Sequence, residues 1–216
     1  MRKLACLLLL AAFASGCHFG GFGTRGSGNR VTQKREVPGF LSIEVSGAFE
    51  VEIVAQRERG LEITGDDNIL PLVTTEVINN VLHINNSKSY NVNHAITLKI
   101  TVPELEGIET SGASKINVSG LRNSELKIGS SGASKLALSG ETKKLSIDTS
   151  GASNIEAKDL RAEKVEVESS GAGFVNVYAT EQLDASASGA ARIDYYGDPK
   201  TVNPEVSGAA SVNKRS

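Results

Sequence analysis

Apolar and polar residues alternate along most of this chain, and the alternation is reset at regular intervals by one tripeptide, Ser-Gly-Ala. It occurs at Ser111-Gly112-Ala113, Ser131-Gly132-Ala133, Ser150-Gly151-Ala152, Ser170-Gly171-Ala172, Ser188-Gly189-Ala190 and Ser207-Gly208-Ala209. The steps from each glycine to the next are 20, 19, 20, 18 and 19. A near-constant period of that size is the signature of stacked repeats. Aliphatic residues lie four before the glycine (Ile108, Ile128, Ile147, Val167, Ala185) and four after it (Ile116, Leu136, Ile155, Val175, Ile193, Val212). Others lie six before (Leu126, Leu145, Val165, Leu183, Val202) and six after (Val118, Leu138, Ala157, Val177, Tyr195), with polar residues between. Period-2 alternation predicts two half-buried strands per repeat.

The Gly-Ala pair is then a corner. Glycine reaches backbone angles costly to other residues and lets one turn approach the next. The alanine, small in every copy, is expected inside the bend. The serine is expected as a turn-compatible small residue; stacked serines could also form a hydroxyl ladder. A second corner is expected eight positions on, at Gly120, Gly140, Asp159, Ala179 and Gly197. One such turn cannot bury its own apolar face, but a stack can. Parallel connections are overwhelmingly right-handed, so the predicted fold is an all-β, right-handed parallel β-helix (β-solenoid) with rungs of about 19–20 residues. The hexapeptide period expected of a left-handed helix is absent.

An earlier copy, Ser46-Gly47-Ala48, precedes Gly112 by a distance of three or more periods. Residues 40–53 alternate around it like a rung. Residues 61–102 predict further strands, with turns at Gly65-Asp66-Asp67-Asn68 and Asn79-Asn80, a polar loop at 87–94 and a strong strand over 96–102 that stops at Pro103. Residues 31–105 thus read as a less regular first half continuous with the solenoid, a separate small β-sandwich being the other arrangement.

The start of the chain is of another kind. Met1-Arg2-Lys3 precedes a ten-residue apolar run at 4–13 and the small residues Ala14-Ser15-Gly16, ending at Cys17. This is a secretory signal peptide over 1–16, too short to span a membrane. Ala14-Ser15-Gly16-Cys17 resembles a bacterial lipobox, which implies acylation of Cys17 and cleavage before it. Two or three acyl chains on one residue anchor stably. Residues 17–30 hold the acylated cysteine and a tether, with five glycines among residues 18–30. The domain proper is expected over 31–216.

Composition sharpens this. The formal charge is −2, and removing Arg2 and Lys3 with the leader makes it −4. No basic stripe exists, so no nucleic-acid partner is expected. With Cys6 in the leader, the mature chain keeps one cysteine, the acylated one, which excludes a disulfide and thiol chemistry. Six Phe, four Tyr and no Trp argue against an aromatic sugar platform, although Tyr195 and Tyr196 remain.

Strand pair 40–53 with its Ser-Gly-Ala, Thr64-Gly65-Asp66-Asp67-Asn68, Thr101-Val102-Pro103-Glu104-Leu105 and the Ser-Gly-Ala-Ser rungs occur in that order. Together they resemble the head-GIN domain family, adhesin-like domains of bacterial envelope proteins, over about residues 36–212. The resemblance implies a right-handed β-helix, often on a lipoprotein, and supplies no catalytic residues.

Candidate sites are few. His83 is expected outward on a strand and His94 at a loop end, both as surface groups rather than ligands or bases. Asp66-Asp67-Asn68 is expected as a turn, its oxygens being the alternative calcium donors. Outward acids Glu109, Asp148, Glu168 and Glu205 share one register, with Gly129 and Ser186 in the skipped copies. No catalytic residue, cofactor or metal is expected. The expected sites are Cys17 for lipid and Gly47, Gly112, Gly132, Gly151, Gly171, Gly189 and Gly208 for the repeat. The functional expectation is a non-enzymatic lipoprotein of a Gram-negative envelope, held in the outer membrane through Cys17. Its β-helical face would bind an envelope glycan, a surface protein or, through the solenoid ends, another copy. The alternative is a polysaccharide lyase or glycosidase on the same fold.

Overall fold

A computed structural model describes residues 23–216; the leader and Cys17 lie outside the described residues. Of the described residues, 69% are strand and 2% helix. From Gly107 onward the chain winds through about 5 turns of a parallel β-helix. Each turn adds one strand before the glycine and one after it. On the pre-glycine sheet Ile108 lies beside Ile128, then Ile147, Val167 and Ala185. On the post-glycine sheet Ile116 is followed by Leu136, Ile155, Val175, Ile193 and Val212. All of these are buried except Val212, which is partly so. A short third side joins the two sheets, with Arg122 beside Glu141 and Glu141 beside Arg161. The second corner slips by one position here, since Gly140 sits opposite Leu121 rather than Gly120.

At the glycine corner the turns touch through their backbones. Ala113, Ala133, Ala152, Ala172, Ala190 and Ala209 each donate an N–H to the glycine carbonyl of the turn below, at 2.7–2.9 Å. A Cβ on Gly112 would overlap the Gly47 oxygen, and one on Gly151 would stand 2.6 Å from the Gly132 oxygen. Gly151 also has φ +132, where an L side chain is strained.

The alanines are not inside the bend: every one is exposed. The inward positions are two before and two after the glycine; they are apolar around Gly47 (Val45, Phe49) and Gly189 (Ala187, Ala191) and mostly polar in the turns between. Thr110, Ser114, Ser130, Ser134, Thr149, Ser153 and Ser169 are all buried. Ser114, Ser134 and Ser153 donate to the carbonyls of Gly47, Gly112 and Gly132 at 3.1, 3.4 and 3.2 Å. Thr110 pairs with Ser134 at 2.9 Å and Ser130 with Ser153 at 2.6 Å. This seam satisfies backbone and hydroxyl groups in a site closed to water, where an unmade bond is costly. Of the serines directly before the glycines, Ser46 and Ser111 are bonded to each other, at 2.9 Å.

The first half is continuous with the solenoid, sharing one core, but its order in space is not its order in sequence. Ser42–Gly47 pairs with Gly107–Gly112 on one edge and Val81–Asn86 on the other. Phe49–Ala55 lies between Lys115–Ser130 and Ile96–Val102. Gly47 is therefore directly beneath Gly112, with no turn between them. The intervening chain loops out to build the next level and its cap. That cap is antiparallel. Val73–Ile78 folds back on Val81–Asn86 through Asn79 and Asn80, both at positive φ, as a two-residue hairpin requires. Gly60–Asp66 runs back along Ile96–Val102, and Arg30–Lys34 along Gly60–Asp66. Arg35 pins these parts, donating to the carbonyls of Leu70 and Val73 and to Thr75 at 2.7–3.1 Å.

The other end is blunted rather than capped. Ser207 N–H donates to Ala187, so alternation turns the backbone polar groups of Val202, Pro204 and Val206 to the open edge of Thr201–Val206. Proline has no N–H to offer an incoming strand, a common guard on edges. Lys214 pairs with Asp198 at 2.6 Å, and Arg192 and Arg215 both donate to the buried Asp194 carboxylate at 2.9 Å.

The seam breaks at Gly173, where the three preceding turns have Ser114, Ser134 and Ser153, and the buried Thr149 and Ser169 hydroxyls find no partner. A Cβ at Gly173 would lie 3.2 Å from Ser169 Oγ and 3.7 Å from Thr149 Oγ1. Gly173→Ser should therefore extend the seam and raise unfolding free energy by about 1 kcal/mol in urea titration. A loss of stability would show that the hydroxyl pairing is not what this position lacks.

Candidate functional site: an acidic groove on the pre-glycine sheet

The outward positions of the pre-glycine sheet form columns along the stack, because parallel pairing in register places equivalent residues side by side. Three before the glycine, Glu44 lies beside Glu109, then Gly129, Asp148, Glu168, Ser186 and Glu205. At the capped end His83 lies beside Glu44, and Glu76 beside His83. The expected register of Glu109, Asp148, Glu168 and Glu205 is present. Glu44, His83 and Glu76 extend it, placed there by the out-of-order first half. His83 Nδ1 lies 2.9 Å from Glu44 Oε2. Like charges directly opposite one another on neighbouring strands oppose folding. Glu44 beside Glu109 and Asp148 beside Glu168 therefore cost stability, which is common where a surface serves something other than stability.

Around this column the surface is concave. A groove of about 1040 Å³ runs along it, lined by eight carboxylates, among them Glu104, Glu106, Glu125 and Glu166 at its sides, with one lysine, Lys127, and one histidine, His83. Its floor is small and polar: Ser42, Gly107, Ser111, Gly129, Ser131, Ser146 and Ser150. Large side chains would fill it; serine and glycine keep it open and leave hydroxyls facing the space. At the rim Lys144 approaches Glu125 at 3.8 Å and Glu166 at 3.5 Å, exposed pairs that contribute little. The groove is thus suited to positive charge and hydrogen-bonding groups. Among the described residues no group of three His, Cys, Asp or Glu is arranged to hold a metal ion.

The other candidates lie elsewhere. His94 is exposed in the 87–94 loop, where its carbonyl accepts from Arg30. Tyr195 and Tyr196 belong to the post-glycine sheet, which also carries Phe174 beneath Arg192. They do not meet the groove. Asp66-Asp67-Asn68 is a turn, and it grips the chain's own N-terminal arm. Ser27 and Asn29 donate to Asp67 at 2.6 and 2.8 Å, Gly28 N–H to Asp66 at 3.0 Å, and Asn68 to the Arg25 carbonyl at 2.8 Å. Residues 24–29, expected in the tether, are therefore docked on the body.

Residues 39–199 match the family described as "Putative auto-transporter adhesin, head GIN domain". A solved "putative adhesin" from Bacteroides fragilis is 26% identical, with a TM-score of 0.75 over 89% of this chain and 100% of its own. One from Parabacteroides merdae is 21% identical, with a TM-score of 0.58 over 90% and 100%. A "putative lipid binding protein" from Parabacteroides distasonis is 23% identical, with a TM-score of 0.54 over 89% and 99%. With the two Parabacteroides proteins the likeness is one of fold alone. No curated protein matches.

The arm clamp is pH-dependent in a direction its geometry sets. The Ser27 hydroxyl, and after it the Asn29 amide, hold the Asp67 carboxyl below its usual 3.8. A depressed folded pKa means the contribution is complete above about pH 4 and is lost as pH falls through the lower folded value. Amide protection at Thr24 and Gly26, followed by hydrogen exchange, should hold steady above about pH 4 and decline below it. In Asp67→Asn it should show no such step. A wild-type profile without a step would contradict the assignment.

Proposed function

The chain belongs to the head GIN domain family, and we propose that it is an envelope lipoprotein, anchored in the outer membrane by acyl chains on Cys17. Its acidic groove binds a basic stretch of another surface protein without chemical turnover. The observation that carries this reading is the groove itself: carboxylates recurring along the stack over a floor of serine and glycine. Acids one or two strand spacings apart, roughly 5 or 10 Å, match an extended partner laid along the stack axis. Their sign favours lysine and arginine and disfavours acidic glycans and nucleic acid. The family's adhesin description, shared by the Bacteroides fragilis relative, supports binding at the surface as the task of this fold. Fold alone does not carry function; the groove's chemistry does.

An oligolysine peptide serves as the probe. The mature chain should bind it with an affinity that falls as salt rises. Glu109→Lys with Asp148→Lys should weaken binding roughly tenfold or more, since close charge pairs at such sites contribute on the order of 1 kcal/mol each. Neutral and acidic glycans serve as the comparison. Salt-insensitive binding of a neutral glycan, or new reducing or unsaturated ends released from any glycan, would overturn the reading.

A further inference from the structure

The docked arm shortens the chain that connects the body to its anchor. Thr24–Arg25 pairs with Tyr90–Asn91, and residues 27–29 are held by Asp66 and Asp67 as described above. The fit is close: Asp66 is 4% exposed, and a Cβ on Gly26 would overlap its carboxylate. All of this lies at one end of the stack. Arg30–Lys34 is the outermost strand of the post-glycine sheet, followed inward by Gly60–Asp66, Ile96–Val102 and Phe49–Ala55, and Ser211–Lys214 closes the far end. At a strand spacing of about 4.8 Å the two ends are roughly 43 Å apart.

Covalent geometry then limits the reach of the chain. Thr24 follows Cys17 by seven positions, a span of at most about 24 Å at roughly 3.3–3.6 Å per residue. With the arm released, the free span would run to Arg30, thirteen positions on, or about 45 Å. The clamp therefore halves the leash. Arg25 and Lys88 are exposed at this end, with Asp67 the acid beside them, and anionic headgroups attract such cations. The groove carries eight carboxylates, which such a surface repels, so tipping the groove onto the bilayer is opposed.

We propose that Asp66-Asp67-Asn68 is a leash clamp: by holding residues 24–29 it keeps the capped end of the β-helix against the lipid surface and points the last turn away from it. This rests on the Cys17 anchor of the preceding reading. The mature chain's single cysteine would be blocked by acylation, so one introduced cysteine can be labelled cleanly.

The test uses the full acylated chain in phosphatidylethanolamine–phosphatidylglycerol vesicles carrying a lipid-linked acceptor dye. Donor labels are placed at Lys88→Cys or Lys200→Cys. Energy transfer from position 88 should exceed that from position 200 several-fold. Adding Asp66→Ala and Asp67→Ala should reduce transfer from position 88, with circular dichroism showing the β-helix intact. Equal transfer from the two positions, or no change at position 88 when the clamp is removed, overturns the leash and leaves the anchor standing. A Cys17 peptide without acyl mass, together with no retention on vesicles, overturns the anchor and the leash together.

Discussion

The contact on which this fold depends is between glycine backbones. At one corner of every turn a glycine α-carbon faces the carbonyl of the glycine below, and the next residue, alanine, donates its N–H to that same oxygen. A single methyl group at Gly112 would collide with that oxygen. Because the corner closes, the strands on either side stay in register over the whole stack. Because they stay in register, isoleucine, leucine and valine meet their counterparts in every turn and the core is continuous. The hydroxyl seam inside the corner completes the arrangement. It supplies partners for the carbonyls that the bend turns inward, at a place where water does not enter.

The same register builds the groove. Side chains at odd offsets from the glycine point outward, and stacking sets them beside their equivalents. A repeat with acids at one offset and serines at its neighbours must produce an acidic stripe over a hydroxylated floor. Adjacent like charges work against folding, and the glycine corner and aliphatic core are what hold them side by side. Stability is thus concentrated in the corner and interior, while the outward face is left to recognition.

Much of this was legible in the residues, and the failures share a cause. Period-2 counting from the glycine placed Ile108 and Ile116 inside and Glu109 outside. Carried through to the corner, the same count puts Thr110 and Ser114 inside and Ala113 outside. The expectation that the alanine fills the bend came from its size and set that parity aside. What counting along the chain cannot supply is order in space. Gly47 lies against Gly112 because the chain between them leaves and returns, and nothing in its spacing announces it. Glu44, His83 and Glu76 entered the acidic column by that route. The clamp was hidden for a related reason: Asp67 finds its partners far earlier in the chain, in a glycine-rich stretch with no alternation to mark it as part of the body.

The dependence on backbone contact at the corner is tested most directly by comparing Gly151→Val with Ala152→Val under equilibrium urea unfolding. The two substitutions place the same side chain on neighbouring residues. Gly151→Val should lose roughly 2–4 kcal/mol, from a strained φ and a blocked approach to Gly132. Ala152→Val, on the exposed side of the bend, should change stability by less than about 0.5 kcal/mol. Equal losses, or a Gly151 variant as stable as the parent, would contradict the account.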